Sequence, residues 1–257
     1  LPFKVPSREN TRLAALVERI QTDIELNTLW RCANVTAIDR SGISDHGPVH
    51  IQIVSNIALR LLRMLVAAEV RPSIVTNYEM TNDDAEVVVV LATALHDLGM
   101  AVHRDDHEQF SVALAAPRLP ALLTGTYEPE PATIITAEVL HAIYAHQRET
   151  RCLTIEAGVA KVADALDMTK GRSRIPFEAG RVNIHSLSAA SIEKVRLVKG
   201  QEKPIRIEID MSNSAGIFQV DELLRYKLRS SGIEKYIEVA ALVQGETEKH
   251  LVRLFNL

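Results

Sequence analysis

Residues 83–99, DDAEVVVVLATALHDLG, decide how this chain is read. The four valines at 87–90 would suit a strand on their own, because β-branched side chains favour strands. The continuation ATALHDLG favours a helix over residues 85–98, ended by Gly99. Asp83 and Asp84 then stand at the positive end of that helix, where acids are stabilised. Nearly every position is apolar, so the helix is buried on most sides. At its far end stands the adjacent pair His96–Asp97, an imidazole and a carboxylate within an apolar helical region.

Upstream, Leu13, Leu16, Val17, Ile20, Ile24 and Leu29 recur at helical spacing and predict one helix over residues 12–32. Ile53, Ile57, Leu61, Leu62 and Leu65 predict another over 50–70, and a loop follows Pro72. Downstream, residues 108–114, 131–147 and 156–170 read as helices. The prolines of 116–131 predict a loop between the first two. The pattern then changes. KVRLVK (194–199) and IRIEID (205–210) alternate apolar and polar residues across Gly200 and Pro204, which predicts a hairpin. Residues 219–229 return to helix, and 235–244 and 250–255 are two more strand candidates. The fold class is therefore α+β: a mainly helical domain over 1–180, then a small α+β domain over 181–257, for oligomerisation or for covering a pocket.

The 257 residues are 47% hydrophobic but only 4% aromatic, so the core rests on Leu, Val, Ile and Ala. A formal charge of −4 gives no reason to expect nucleic acid or an anionic membrane as partner. Cys32 and Cys152 form no CxxC pair, the usual state in a reducing compartment. The segment LPFKVPSREN lacks a signal-peptide pattern. The apolar run 87–95 is about half of a membrane span. The expectation is a cytoplasmic protein without a membrane partner.

Further ligand-type residues surround the doublet in sequence. His46 and His50 lie four apart, and His50, inside its helix, is better placed to face a site. His103 and His107 are also four apart; only one need be a ligand, and His107 is preferred. His141 and His146 share a helix but point about 140° apart, so they do not serve one ion together. Asp164 and Asp167 follow Val159, Val162 and Ala163 in a half-buried helix, where an acid is costly unless paired or metal-bound. Imidazole and carboxylate donors suit Mn, Fe, Co, Ni or Zn. Arg148, Lys170, Arg172 and Arg174 could clamp phosphate oxygens, since guanidinium groups match them bidentately. A solvated basic loop is the plainer account of the last three.

Taken in order, His50, LHDLGM with His96–Asp97, and VADALD with Asp164 resemble the HD-domain superfamily of metal-dependent phosphohydrolases, over about residues 44–175. The resemblance implies an all-helical metal site, with His50 as the first histidine and Asp164 as the final aspartate. HEQFSVALA from His107 and AIYAHQRE around His146 look like segments that supply extra ligands in the dinuclear branch. That implies one ion on His50, His96, Asp97 and Asp164, and a second on Asp97, His107 and His146; Mg joins the candidate metals. The branch acting on cyclic dinucleotides carries paired histidines where this chain has His146–Gln147, and its Gly-Tyr-Pro signature is absent, which argues against cyclic di-GMP. A helical domain of this type with an α+β appendage is similar to uncharacterised prokaryotic members, archaeal ones included.

The resulting expectation is hydrolysis of a phosphate ester, monoester or diester, in a small phosphorylated molecule such as a nucleotide, by metal-activated water in which Asp97 is indispensable. His103 or solvent water would protonate the leaving group, and Arg148, Lys170, Arg172 and Arg174 would hold the phosphate. Two rival readings stand beside it. One is a di-iron oxygenase, which a mixed-valence EPR signal would reveal. The other is a metal-stabilised binding or assembly protein, a homo-oligomer whose strands at 205–210 and 235–243 pair across a subunit edge.

Overall fold

The computed structural model describes residues 2–169, 188–243 and 254–256. Its helical part runs through α1 (Thr11–Thr22), α2 (Ile24–Asn34), α3 (Pro48–Ala67), α4 (Ser73–Tyr78), α5 (Asn82–Leu95), α6 (His107–Ala115), α7 (Leu119–Leu123), α8 (Pro129–Ala145) and α9 (Ile155–Leu166). Strands β1 (Ile192–Lys199) and β2 (Ile205–Met211) follow, then a helical run α10 over residues 217–230, then β3 (Ile237–Val243) and β4 (Leu254–Asn256). The chain is thus mainly helical with a small α+β unit behind it. The expected boundary at residue 180 lies outside the described residues.

The valine run is helical. Thr81 and Asp84 form a reciprocal capping box: the Thr81 N–H donates to Asp84 Oδ2 at 2.9 Å, and the Asp84 N–H donates to Thr81 Oγ1 at 3.4 Å. Such a cap satisfies two otherwise orphaned donors. Val87, Val88, Val89 and Val90 are all fully buried, because α5 is enclosed by α3, α8 and α9. Burial on every side overrides the strand propensity of valine.

Gly99 does not act as a left-handed helix cap. α5 ends at Leu95, and Gly99 lies within a 3₁₀ turn, Leu98–Ala101. A Cβ on Gly99 would stand 2.0 Å from the His107 carbonyl oxygen, and the Gly99 N–H donates to Ser111 Oγ at 2.8 Å. Glycine is needed here for close approach of two backbones, and that approach seats the start of α6 against the end of α5.

The helix expected over 12–32 is two helices. Asp23 is extended (φ −73°, ψ 101°) and its carboxylate accepts the Leu26 N–H at 2.8 Å. Asn27 completes the break by donating to the carbonyls of Ile20 and Asp23. An Asp at an N-cap competes locally with helix continuation. The loop expected over 116–131 contains α7 and the first turn of α8, whose Pro129 occupies a first-turn position that tolerates proline.

The sheet order is β1-β2-β3-β4. β1 and β2 form the expected antiparallel hairpin. β2 and β3 are parallel, which requires a crossover, and α10 supplies it. β4 returns antiparallel to β3. β2 is therefore internal, with both of its hydrogen-bonding edges paired within the chain, and among the described residues β3 pairs β4 over residues 240–242. Residues 205–210, expected to pair across a subunit edge, are paired on both sides within the chain instead.

One continuous apolar cluster runs from the helices into the sheet, including Leu59, Val88 and Val159 on one side and Ile207, Ile209 and Leu224 on the other. Helix α3 is long and apolar enough to cross a membrane by length and composition, and half of that stretch is buried inside the protein. Its buried face includes His50, Ile51, Val54, Ala58 and Leu61.

Candidate metal centre

Four segments converge at one end of the helical part. α3 brings His50, the end of α5 brings His96 and Asp97, α6 begins with His107, and α8 is capped by His146. All five side chains are buried. Asp164, from the last turn of α9, completes the group. Trp30 in α2 steadies the end of α5, donating its indole N–H to the Ala94 carbonyl at 2.8 Å.

The donors form two sets that share Asp97. His50, His96 and Asp97 make the first, and Asp97, His107 and His146 the second; within each set the candidate ligand atoms lie within 4.8 Å of one another. In the first, His50 Nε2 stands 3.3 Å from Asp97 Oδ2 and 3.3 Å from Asp164 Oδ1. His96 Nε2 is 3.3 Å from Asp97 Oδ2 and 3.8 Å from Asp164 Oδ1. In the second, His107 Nε2 is 3.5 Å and His146 Nε2 is 3.9 Å from Asp97 Oδ1. Each Asp97 oxygen thus faces a different set.

The ring orientations suit metal donors. His96, His107 and His146 place Nδ1 against the carbonyls of Thr93, Arg104 and Ile143, at 2.8, 3.0 and 2.5 Å. Each carbonyl holds the proton on Nδ1 and leaves the Nε2 lone pair pointing inward. The consequence is two close acceptor pairs, His50 Nε2 with His96 Nε2 at 3.4 Å and His107 Nε2 with His146 Nε2 at 3.2 Å. Lone pairs that close repel unless a cation lies between them. Separations of this size match ligands roughly 2 Å from a shared ion. Asp97 Oδ2 is buried without a hydrogen-bond donor among the described residues, as a metal-ligand oxygen would be. The residues present therefore fit a bound divalent cation.

The titration of the cluster tells the same story. Burial disfavours the His96 imidazolium, but the negative charges of Asp97 and Asp164 outweigh it, and its pKa rises to about 9. Burial alone would raise the Asp97 and Asp164 carboxyls. The His96 charge, and for Asp164 the Lys227 ammonium, instead hold both well below the usual range. Burial, then repulsion from His96, His107 and Lys227, keeps His146 well below its ordinary value and hence neutral. The cluster favours positive charge at its centre, which a bound cation would supply.

Asp167 sits behind the first set, where its Oδ2 accepts from His50 Nδ1 at 2.6 Å. We expect Asp167→Asn to weaken divalent-ion binding at the His50 set by roughly 10- to 100-fold, the usual cost of losing such a partner. A metal titration checks this, and unchanged affinity would remove Asp167 from the site.

The remaining candidates are placed differently. His46 is buried with Nδ1 2.7 Å from the Ser44 carbonyl, and its ring packs 5.5 Å from that of His50. His141 accepts the Leu153 N–H at 3.1 Å, away from the two sets. His103 is 64% exposed and accepts the Asp105 N–H at 3.0 Å, so the structure does not bring it into the cluster. Arg148, two residues past His146, pairs with Glu222 at 3.2 Å and lies 4.2 Å over the Tyr226 ring. Lys170, Arg172 and Arg174 fall outside the described residues.

Two lysines escaped the sequence reading. Lys227 of α10 contacts Asp164 Oδ2 directly. Lys161, buried in α9, donates to the Thr150 carbonyl at 2.6 Å, and burial lowers its pKa to about 8. No local signal marks the first, because its partner is 63 residues away. For the second, a lone lysine within the apolar GVAKVADAL run was a signal of burial with a partner.

Comparison with known proteins places these residues in a family. The HD domain family matches residues 49–169, a stretch that contains all six donors. The chain is similar to the uncharacterised protein MJ1020 of Methanocaldococcus jannaschii, 46% identical over 222 residues that span 86% of each chain, so the likeness extends well beyond the matched domain. No solved structure matches the chain.

Proposed function

This chain belongs to the HD-domain superfamily, and from that membership we propose that its buried centre hydrolyses a phosphate ester in a small phosphorylated molecule, with nucleotides the first class to test. The observation that carries the reading is the pair of facing donor sets joined through Asp97. His50, His96, Asp97 and Asp164 would hold one divalent ion, and Asp97, His107 and His146 a second. Imidazole and carboxylate donors in these numbers favour Mn, Fe, Co, Ni or Zn over Mg. When bound, such ions supply a water of lowered pKa and positive charge beside the phosphoryl oxygens.

The chain's own residues prepare that centre. The three backbone carbonyls and Asp167 keep Nδ1 protonated on every histidine of the two sets, so no ring has to turn when substrate arrives. Asp97 divides its two oxygens between the sets and sets their spacing. The apolar walls of α3, α5 and α9 exclude bulk water, which strengthens each electrostatic contact inside. Arg148, steadied by Glu222 and Tyr226, offers its guanidinium to a phosphate at the rim. With His103 exposed, solvent water is the simpler proton donor to the leaving group.

The test is hydrolysis by protein stripped of metal and then restored with Mn, Co, Ni, Mg or Fe singly, against a generic phosphodiester, a phosphomonoester and a nucleotide panel. Activity that returns with metal and fails in an Asp97 variant is the expected result. Metal that binds with no hydrolysis of any ester would move the reading to oxygenase or binding chemistry.

A further inference from the structure

We propose that Lys227, carried by the crossover helix of the C-terminal α+β unit, is a positioning residue for the first metal site, acting through Asp164. This rests on the metal-centre reading above. Three observations carry it. First, the Lys227 ammonium contacts Asp164 Oδ2, while Asp164 Oδ1 is the oxygen turned toward His50 Nε2, at 3.3 Å, and His96 Nε2, at 3.8 Å. A carboxylate gripped at one oxygen presents the other in a single direction. Second, Lys227 is only 17% exposed at its side chain, so its charge is turned into the protein and screened little by water. Third, α10 is firmly docked where it must be. The Cys152 N–H donates to the Ser230 carbonyl at 2.9 Å, and Ser230 Oγ donates to the Arg148 carbonyl at 3.0 Å. Arg148 in turn pairs with Glu222 and stacks on Tyr226. In α9, a Cβ at Gly158 would stand 2.3 Å from the Ser231 carbonyl oxygen, so only glycine admits this closeness.

Residues 220–225 of α10 are π-helical, an irregularity often found at functional sites, and the wide turn falls just ahead of Tyr226 and Lys227. The C-terminal unit is therefore part of the metal centre rather than an independent appendage. The same helix holds the segment that follows His146, so both sets are steadied from one element.

The direction of the effect separates positioning from mere proximity. By charge alone, an ammonium beside the site repels a divalent ion, and removing it would tighten binding. If Lys227 aims Asp164, removing it loosens binding instead. The test is titration of metal-free full-length protein with Co2+, followed by visible absorption. The His50-dependent transition is identified as the one lost in His50→Gln, and the second as the one lost in His107→Gln. For Lys227→Met we expect the His50-dependent Kd to rise about 10-fold or more, as for other partners of metal ligands. The His107-dependent transition should stay, which also shows that the variant is folded, and Lys227→Arg should recover most of the affinity. A His50-dependent Kd that is unchanged or lower in Lys227→Met overturns the proposal while leaving the metal reading intact. A raised KM with unchanged Co2+ affinity overturns it too, and makes Lys227 a substrate contact. Wild-type protein that binds no Co2+ overturns the metal reading and the proposal with it.

Discussion

Asp97→Asn will abolish metal-dependent hydrolysis and empty both halves of the centre while leaving the helical fold in place. The side chain keeps its size and its buried position, so the packing of α3, α5 and α6 around it is preserved. What it loses is the negative charge and one acceptor oxygen. Asp97 is the one donor shared by both sets, with Oδ2 facing His50 and His96 and Oδ1 facing His107 and His146. Without it, four imidazoles and Asp164, itself paired with Lys227, remain around a centre whose charge balance no longer favours two divalent ions. Metal assistance is worth several kcal/mol of transition-state stabilisation, so the loss should reach about 10³-fold or more. Two measurements check this: bound metal per chain after desalting, and hydrolysis rate with metal in excess. Circular dichroism should match the wild type. Full activity in this variant would remove Asp97, and with it the two-set architecture, from the catalytic centre.

Gly99→Ala should damage stability and the second donor set together. The new methyl would meet the His107 carbonyl oxygen at 2.0 Å, the Ser111 nitrogen at 2.6 Å and Phe110 Cβ at 2.8 Å. Two of those neighbours are backbone, so no side-chain rotation relieves the clash, and the start of α6 has to move outward. Overpacking of this kind costs about 3 kcal/mol. In a chain of this size that lowers Tm by roughly 10 °C. Because His107 is the first residue of α6, the same displacement pulls its Nε2 away from Asp97 and His146. The His107-dependent metal transition should weaken, and the His50-dependent one should persist. Ser111→Ala is the control: it removes the hydrogen bond to the Gly99 N–H without adding a clash, and should cost only about 1 kcal/mol. Equal effects from the two substitutions would show that the steric contact carries no weight.

Much of this architecture was legible in the sequence because it depends on local pattern. The capped, wholly apolar α5 can be read from residues 83–95, and the hairpin of β1 and β2 from alternation around Gly200 and Pro204. The order of the donors can be read as well. The 140° between His141 and His146 separates a ligand from a histidine that serves the backbone, and the structure puts His141 on the Leu153 N–H. Other features resisted because local competition or distant packing decides them. Asp23 splits α1 from α2 through a cap that helical periodicity does not register. Gly99 has the position of a helix stop but serves as a contact point for another backbone.

The donor types, their order along the chain and the buried helix that carries the doublet are all present in the amino-acid order. Those follow from residue chemistry and from periods of a few residues. Helix crossings and packing, not local pattern, settle that every inward ring offers Nε2 and that Asp97 splits its oxygens between two sets. Tertiary structure alone put Asp167 behind His50, 117 residues away, and brought Lys227 from the C-terminal unit onto Asp164. The physical reason is that these contacts depend on helix crossings and on rotamers held by backbone carbonyls. Periodicity along one helix carries no information about what another segment, a hundred residues on, will place against it.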